Sequence, residues 1–182
     1  LERTDIASWF LWAFSAPGAY YFEIHSTRSS EVAIDFLKAS VCTFLMSDVY
    51  VGYERAIRIV NEFRRSEGLA ELIALFCNSH CRRRFTEAAI SYPEEAEFFI
   101  EQYAKIYALE GELKDLQDEA PRQIKRANMK PYFEAMLAMG SKLKPHFSNK
   151  SALVTAINYL ENNYTGLTRF LENPDLPIDN NV

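Results

Sequence analysis

Apolar positions change their period halfway along the chain. In the first half they come in short aromatic and aliphatic runs, as strands do. In the second half they recur every three or four residues, as helices do. Ser8–Phe14 reads as a buried aromatic strand, Ala16-Pro17-Gly18 as a turn and Tyr20–Ile24 as the returning strand of a hairpin. Ser29 or Ser30 can cap a helix with Val32, Ala33, Phe36 and Leu37 on one face. Phe44-Leu45-Met46 predicts a further strand, running into Ser47 and a single acid, Asp48. From Glu54, the residues Ile57, Val60, Asn61 and Phe63 fit a second helix, closed by Gly68. Glu71–Phe76 is the next strand and leads into Cys77-Asn78-Ser79-His80. Hairpin, helix, strand, helix, strand predicts a mixed sheet with crossover helices, an α/β layer.

Strand signals stop after Cys81. Phe85, Ala88 and Ala89 start one helix, which Pro93 is expected to interrupt. Ala96, Phe99, Tyr103, Ile106 and Tyr107 keep helical spacing. Pro121 and Pro131 bound a helix around Ile124, and Tyr132, Phe133, Met136 and Leu137 mark another that ends near Gly140. Ala152, Leu153, Ala156, Ile157 and Leu160 mark the last long one. These stripes are read as core positions rather than cofactor contacts. The tail from Leu171 to Ile178 is expected to be extended, because Pro174 and Pro177 exclude regular helix.

Composition narrows the class. A chain of 182 residues with 48% hydrophobic and 25% charged residues can bury a sizeable core. No apolar run reaches the roughly 18 residues of a membrane span, and no leader with a cleavage site opens the chain. Three cysteines without framework spacing predict free thiols and a reducing compartment, so the expected location is the cytoplasm, with no membrane partner. The net charge of −5 argues against unspecific coating of nucleic acid. The charges are nonetheless segregated. Glu94–Glu119 is acidic, Arg122–Lys150 is basic with Glu134 its only acid, and Arg82-Arg83-Arg84 forms a separate basic knot. Such segregation reads either as a local basic face or as solvated helix surfaces.

Two features carry candidate chemistry. An apolar strand ending on a carboxylate is how open α/β sheets present an acid where ligands and metals bind, and Asp48 has that setting. The same residue also reads as a turn former or helix N-cap. His80, with Cys77 and Cys81 beside it, invites a zinc reading, but a structural zinc site needs four ligands and no second pair exists in the sequence. His25 and His146 read as surface residues.

Several patterns stand in order along the chain. They are Trp12 in the aromatic strand, Thr27-Arg28-Ser29 after the hairpin, and Asp48-Val49-Tyr50-Val51-Gly52-Tyr53. Cys77-x-x-His80 with Arg82–Phe85 follows, and Ile178-Asp179-Asn180-Asn181 comes last. Together they resemble transposases of the insertion sequence 66 family, which carry a ribonuclease H-like DDE catalytic domain. Asp48–Tyr53 match that family's D-G-Y-x-G-Y pattern except for Val49 in place of glycine.

The resemblance implies an incomplete ribonuclease H-like mixed sheet with a mainly α-helical insertion in the second half. It divides the chain into an α/β core at 1–80, a helical insertion at 81–170 and a return segment at 171–182. Asp48 is implied as catalytic residue and Mg²⁺ or Mn²⁺ ligand, with Cys77, His80, Tyr50 and Tyr53 in support. Arg28, Arg82, Arg83, Arg84, Asn180 and Asn181 are the implied DNA contacts. The family's first and third acids are expected before Leu1 and after Val182, so the ends read as those of a fragment. Phosphoryl transfer needs two metal ions roughly 4 Å apart, held by several carboxylates. The chain alone is therefore expected neither to bind Mg²⁺ tightly nor to cleave DNA. The implied parent hydrolyses and joins DNA during transposition and can assemble as a homo-oligomer on element ends and target. The alternative is an inactive remnant or a helical protein-interaction module.

Overall fold

The computed structural model describes residues 8–180. It divides into two compact units, one of residues 1–43 and 50–73, the other of residues 44–49 and 74–182.

In the first unit, β1 (Phe10–Ala16) and β2 (Ala19–His25) pair antiparallel, Phe10 opposite His25 and Ala16 opposite Ala19. Gly18, at φ +77°, closes the two-residue connection, where a side chain would be strained. Alternation gives the hairpin two unlike faces. On one, Trp12 is buried and Phe14 stacks on Phe36, ring centroids 3.8 Å apart. On the other, Leu11, Phe22 and Ile24 are exposed. Phe36 lies on α1 (Ser30–Ala39), whose cap is Ser29, its hydroxyl accepting from the Glu31 amide. Helix α2 (Val51–Ser66) packs on α1 and ends before Gly68, at φ +68°. Buried Arg64 donates to the carbonyls of Ser40, Cys42 and Ala70, satisfying the loops at both helix ends.

In the second unit, β3 (Phe44–Ser47) pairs with β4 (Ile73–Phe76). Ile73 donates to the Thr43 carbonyl at 2.8 Å and Cys77 to that of Ser47 at 3.0 Å. Partners that advance in step make the pair parallel. Six helices follow: α3 (Asn78–Ala88), α4 (Pro93–Glu112), α5 (Glu119–Ala127), α6 (Lys130–Leu143), α7 (Ala152–Asn162) and α8 (Tyr164–Thr168). Their apolar stripes close one core that takes in Leu75 of β4, Phe85, Phe99, Tyr103, Phe133, Ile157, Phe170 and, from the tail, Leu176 and Ile178. Phe85 and Phe99 stack at 4.3 Å.

Four expectations change. The single mixed sheet resolves, among the described residues, into two separate two-stranded pairs, since β1 and β2 bond only each other and β3 and β4 do likewise. Pro93 opens α4 rather than breaking a helix, because its missing N–H falls in the first turn, where no helical bond is due. Helix α6 runs through Gly140 to Leu143. That glycine serves packing rather than termination, for a Cβ there would lie 2.7 Å from Ile157 Cγ2 on α7. The tail begins at Asn173, since Leu171 and Glu172 close a 3-10 turn, Arg169–Glu172. No helix among the described residues is long and apolar enough to cross a membrane.

Candidate functional site at the end of the parallel strands

Parallel strands end together, so whatever follows them is gathered at one edge. Asp48 follows β3 and is half-buried. It is not a helix cap: the N-cap of α2 is Tyr50, and no side chain caps that helix. Its Oδ1 is buried without a hydrogen-bond partner, as are Ser47 Oγ and His80 Nδ1. A buried polar atom left unpaired costs about 1–3 kcal/mol unless a water, an ion or a ligand meets it.

Beside Asp48, Cys77 is the N-cap residue of α3, which places Asn78, Ser79 and His80 in that helix's first turn. The N-terminal end of a helix carries partial positive charge, which the Ile178 carbonyl meets in part by accepting from the Asn78 amide. Cys77 is buried, its Sγ 3.3 Å from the Ser79 hydroxyl. Cys81 lies in the core against Tyr103, and burial pushes its thiol up to about 12. Such a thiol stays protonated at neutral pH and is a poor metal ligand.

Asn78 was not singled out from sequence, yet it is the most connected side chain here. It is fully buried. Its Nδ2 donates to the carbonyls of Leu167 at 2.9 Å and Ile178 at 3.2 Å, and Tyr103 donates to its Oδ1 at 3.4 Å. Its backbone amide also donates to the Ile178 carbonyl, at 3.2 Å. The tail is thereby fixed at the edge where Asp48 ends β3. Tyr107 adds a second tie, its hydroxyl donating to Asp179 Oδ2 at 2.8 Å. Burial and the Asp179 carboxylate both hold that phenol far above its ordinary pKa, so it remains a donor.

Upstream, α5 clamps the tail. Buried Arg126 donates to the carbonyls of Phe170 at 2.7 Å, Asn173 at 2.8 Å and Leu176 at 2.5 Å, and pairs with Glu110 at 2.6 Å. Arg122 reaches Asp175 and the Pro174 carbonyl, and Gln123 the Leu171 carbonyl. The only warning of Arg126 was a basic run with apolar spacing around it, which reads equally as surface.

The basic knot is spread around α3. Arg82 lies over Tyr107 of α4 at 5.6 Å, Arg84 over Tyr159 of α7 at 4.1 Å, and Arg83 pairs with Glu87 at 3.9 Å. All three are exposed. Asn180 is also exposed, whereas Asn181 lies outside the described residues.

Arg28, Tyr50 and Tyr53 form a separate cluster in the first unit. The Arg28 guanidinium sits over Phe10 at 5.8 Å and Tyr50 at 5.2 Å, and Tyr53 meets Tyr50 and Trp12 edge to face. Gly52 makes room for it, since a Cβ there would lie 2.5 Å from the Tyr50 ring. The glycine in the Asp48–Tyr53 pattern thus has a packing reason.

The family described as "Transposase IS66 family" matches residues 1–182. An uncharacterized protein of Sinorhizobium fredii, y4jD, is 28% identical over 172 residues, which cover 94% of this chain and 33% of that protein. The chain thus spans about a third of the length of that relative. No solved structure matches.

Proposed function

Because the chain belongs to the IS66 transposase family, we propose that it forms part of a DNA transposase's catalytic domain, with Asp48 as one acid of its metal site. The observation that carries this reading is the unpartnered, buried Oδ1 of Asp48 at the end of a parallel strand. Hard carboxylate oxygens suit Mg²⁺ or Mn²⁺, so the residue fits the ion. Among the described residues no three His, Cys, Asp or Glu side chains are grouped to hold a metal. Asp48 therefore contributes one ligand, and the remaining carboxylates come from elsewhere in the parent polypeptide. When bound, such ions stabilise the attacking and leaving oxygens of phosphodiester cleavage and joining.

The chain's own residues do the rest. The β3–β4 pair fixes Asp48, and the first turn of α3 lends positive partial charge to the same edge. Arg82, Arg83 and Arg84, with Arg28 in the first unit, are exposed donors suited to phosphate oxygens.

The test is DNA cleavage with Mg²⁺ or Mn²⁺. The parent transposase cuts element-end DNA and loses at least a thousandfold in rate with Asp48→Asn, while the 182-residue chain alone does not cut. Full activity of the Asp48→Asn parent refutes the assignment. So does Mn²⁺-dependent nicking by the chain alone that Asp48→Asn leaves unchanged.

A further inference from the structure

The helical half sends two side chains to the edge where Asp48 lies. We infer that Asn78 and Tyr107 are positioning residues, which fix Ile178, Asp179 and Asn180 at that edge so that the tail forms one wall of the site. The inference rests on the transposase reading for what the wall encloses, and on geometry alone for the anchoring.

The geometry is a relay of backbone bonds. Ser47, next to Asp48, accepts from Cys77, and Asn78, next to Cys77, donates to Ile178. The tail thus joins the end of β4 as β3 does, and Asp48 and Asp179 are each one residue past a bonded carbonyl. Backbone contact alone leaves the tail one hydrogen bond at this point. The Asn78 side chain supplies a second to the same carbonyl and ties it to Leu167 beyond α7. A carboxamide suits the place because its nitrogen donates twice while its oxygen accepts from Tyr103. Tyr107 then fixes the next residue through the Asp179 carboxylate, and its ring lies under the Arg82 guanidinium. One exposed cation and one exposed amide, Arg82 and Asn180, are thereby carried by the same small network. Helix α4 acts on the site through this contact, which gives the helical half a role other than docking partners.

Hydrogen exchange on the full 182-residue chain measures the anchoring directly. Tyr107→Phe keeps the ring and removes only the hydroxyl, and it should raise exchange at the Asn78 amide, which donates to Ile178, roughly tenfold while the midpoint of unfolding stays put. Asn78→Asp replaces two donated bonds by a buried charge and should release the tail more strongly. If that variant fails to fold, Tyr107→Phe still decides. Unchanged exchange at the Asn78 amide in Tyr107→Phe overturns the anchoring. In the parent transposase, Tyr107→Phe should lower kcat for cleavage roughly tenfold and leave KM for DNA within about twofold. Released tail with unchanged kcat overturns the positioning role. A parent that cleaves no DNA counts against the transposase reading instead, and the exchange result then judges the anchoring alone.

Discussion

The two units handle buried polarity differently. The first buries one guanidinium, Arg64, which is used up on three carbonyls, and it leaves an apolar hairpin face with Leu11, Phe22 and Ile24 in solvent. The second closes its apolar core and satisfies Asn78 and Arg126 through multiple backbone carbonyls. It still leaves Ser47 Oγ, Asp48 Oδ1 and His80 Nδ1 without partners. Glu110 Oε2, Gln123 Oε1 and Arg126 Nε are unpaired too, but each belongs to a side chain bonded through another atom. Asp48 thus keeps an unpaired buried oxygen in the second unit, and the hairpin is where the first unit leaves apolar surface in solvent.

The largest effect should come from Arg126→Met. It strips three carbonyls and Glu110 of their partner, and it should cost about 3–5 kcal/mol in urea denaturation. Exchange in the first unit's hairpin should stay unchanged if the two units are energetically separate. Next, the hairpin's two faces should differ sharply. Trp12→Ala should cost about 3–5 kcal/mol, whereas Phe22→Thr on the exposed face should change stability by no more than about 0.5 kcal/mol. Equal losses would mean that the exposed face is covered in the molecule.

A smaller difference concerns pH. Burial raises the Cys81 thiol from an ordinary 9.0 to about 12, so the folded state holds that proton more tightly than the unfolded one. Its contribution is fully present below pH 9 and is lost as pH rises toward 12. Cys81→Ala should therefore flatten the fall in stability across that window. In the native chain at pH 8, alkylating reagent should label Cys42 and spare Cys81.

Much of this was legible in the sequence, element by element. The hairpin, the cap at Ser29 and the stripes of α4, α6 and α7 follow from local period and short polar residues, and each unit's core uses them as patterned. The start of α3 did not: apolar spacing put it near Phe85, whereas the helix begins at Asn78, where polar residues and the basic run hide the period. Partnership was not legible. Asn78 looked like filler between Cys77 and His80, and Arg126 looked like one more cation in a basic run. Their partners lie 100 residues away at Ile178 and 44 to 50 residues away in the tail. Backbone carbonyls leave no mark in a sequence. Gly140 misled for a related reason, since close helix approach and helix termination use the same residue.

The most direct measurement is the unfolding free energy of Asp48→Asn beside that of the unsubstituted chain, in metal-free buffer. An acid kept unpaired for a ligand is a liability in the free protein, so neutralising it should leave stability unchanged or raise it by about 1 kcal/mol. A loss of about 1 kcal/mol or more would mark Asp48 as a structural acid and contradict the account.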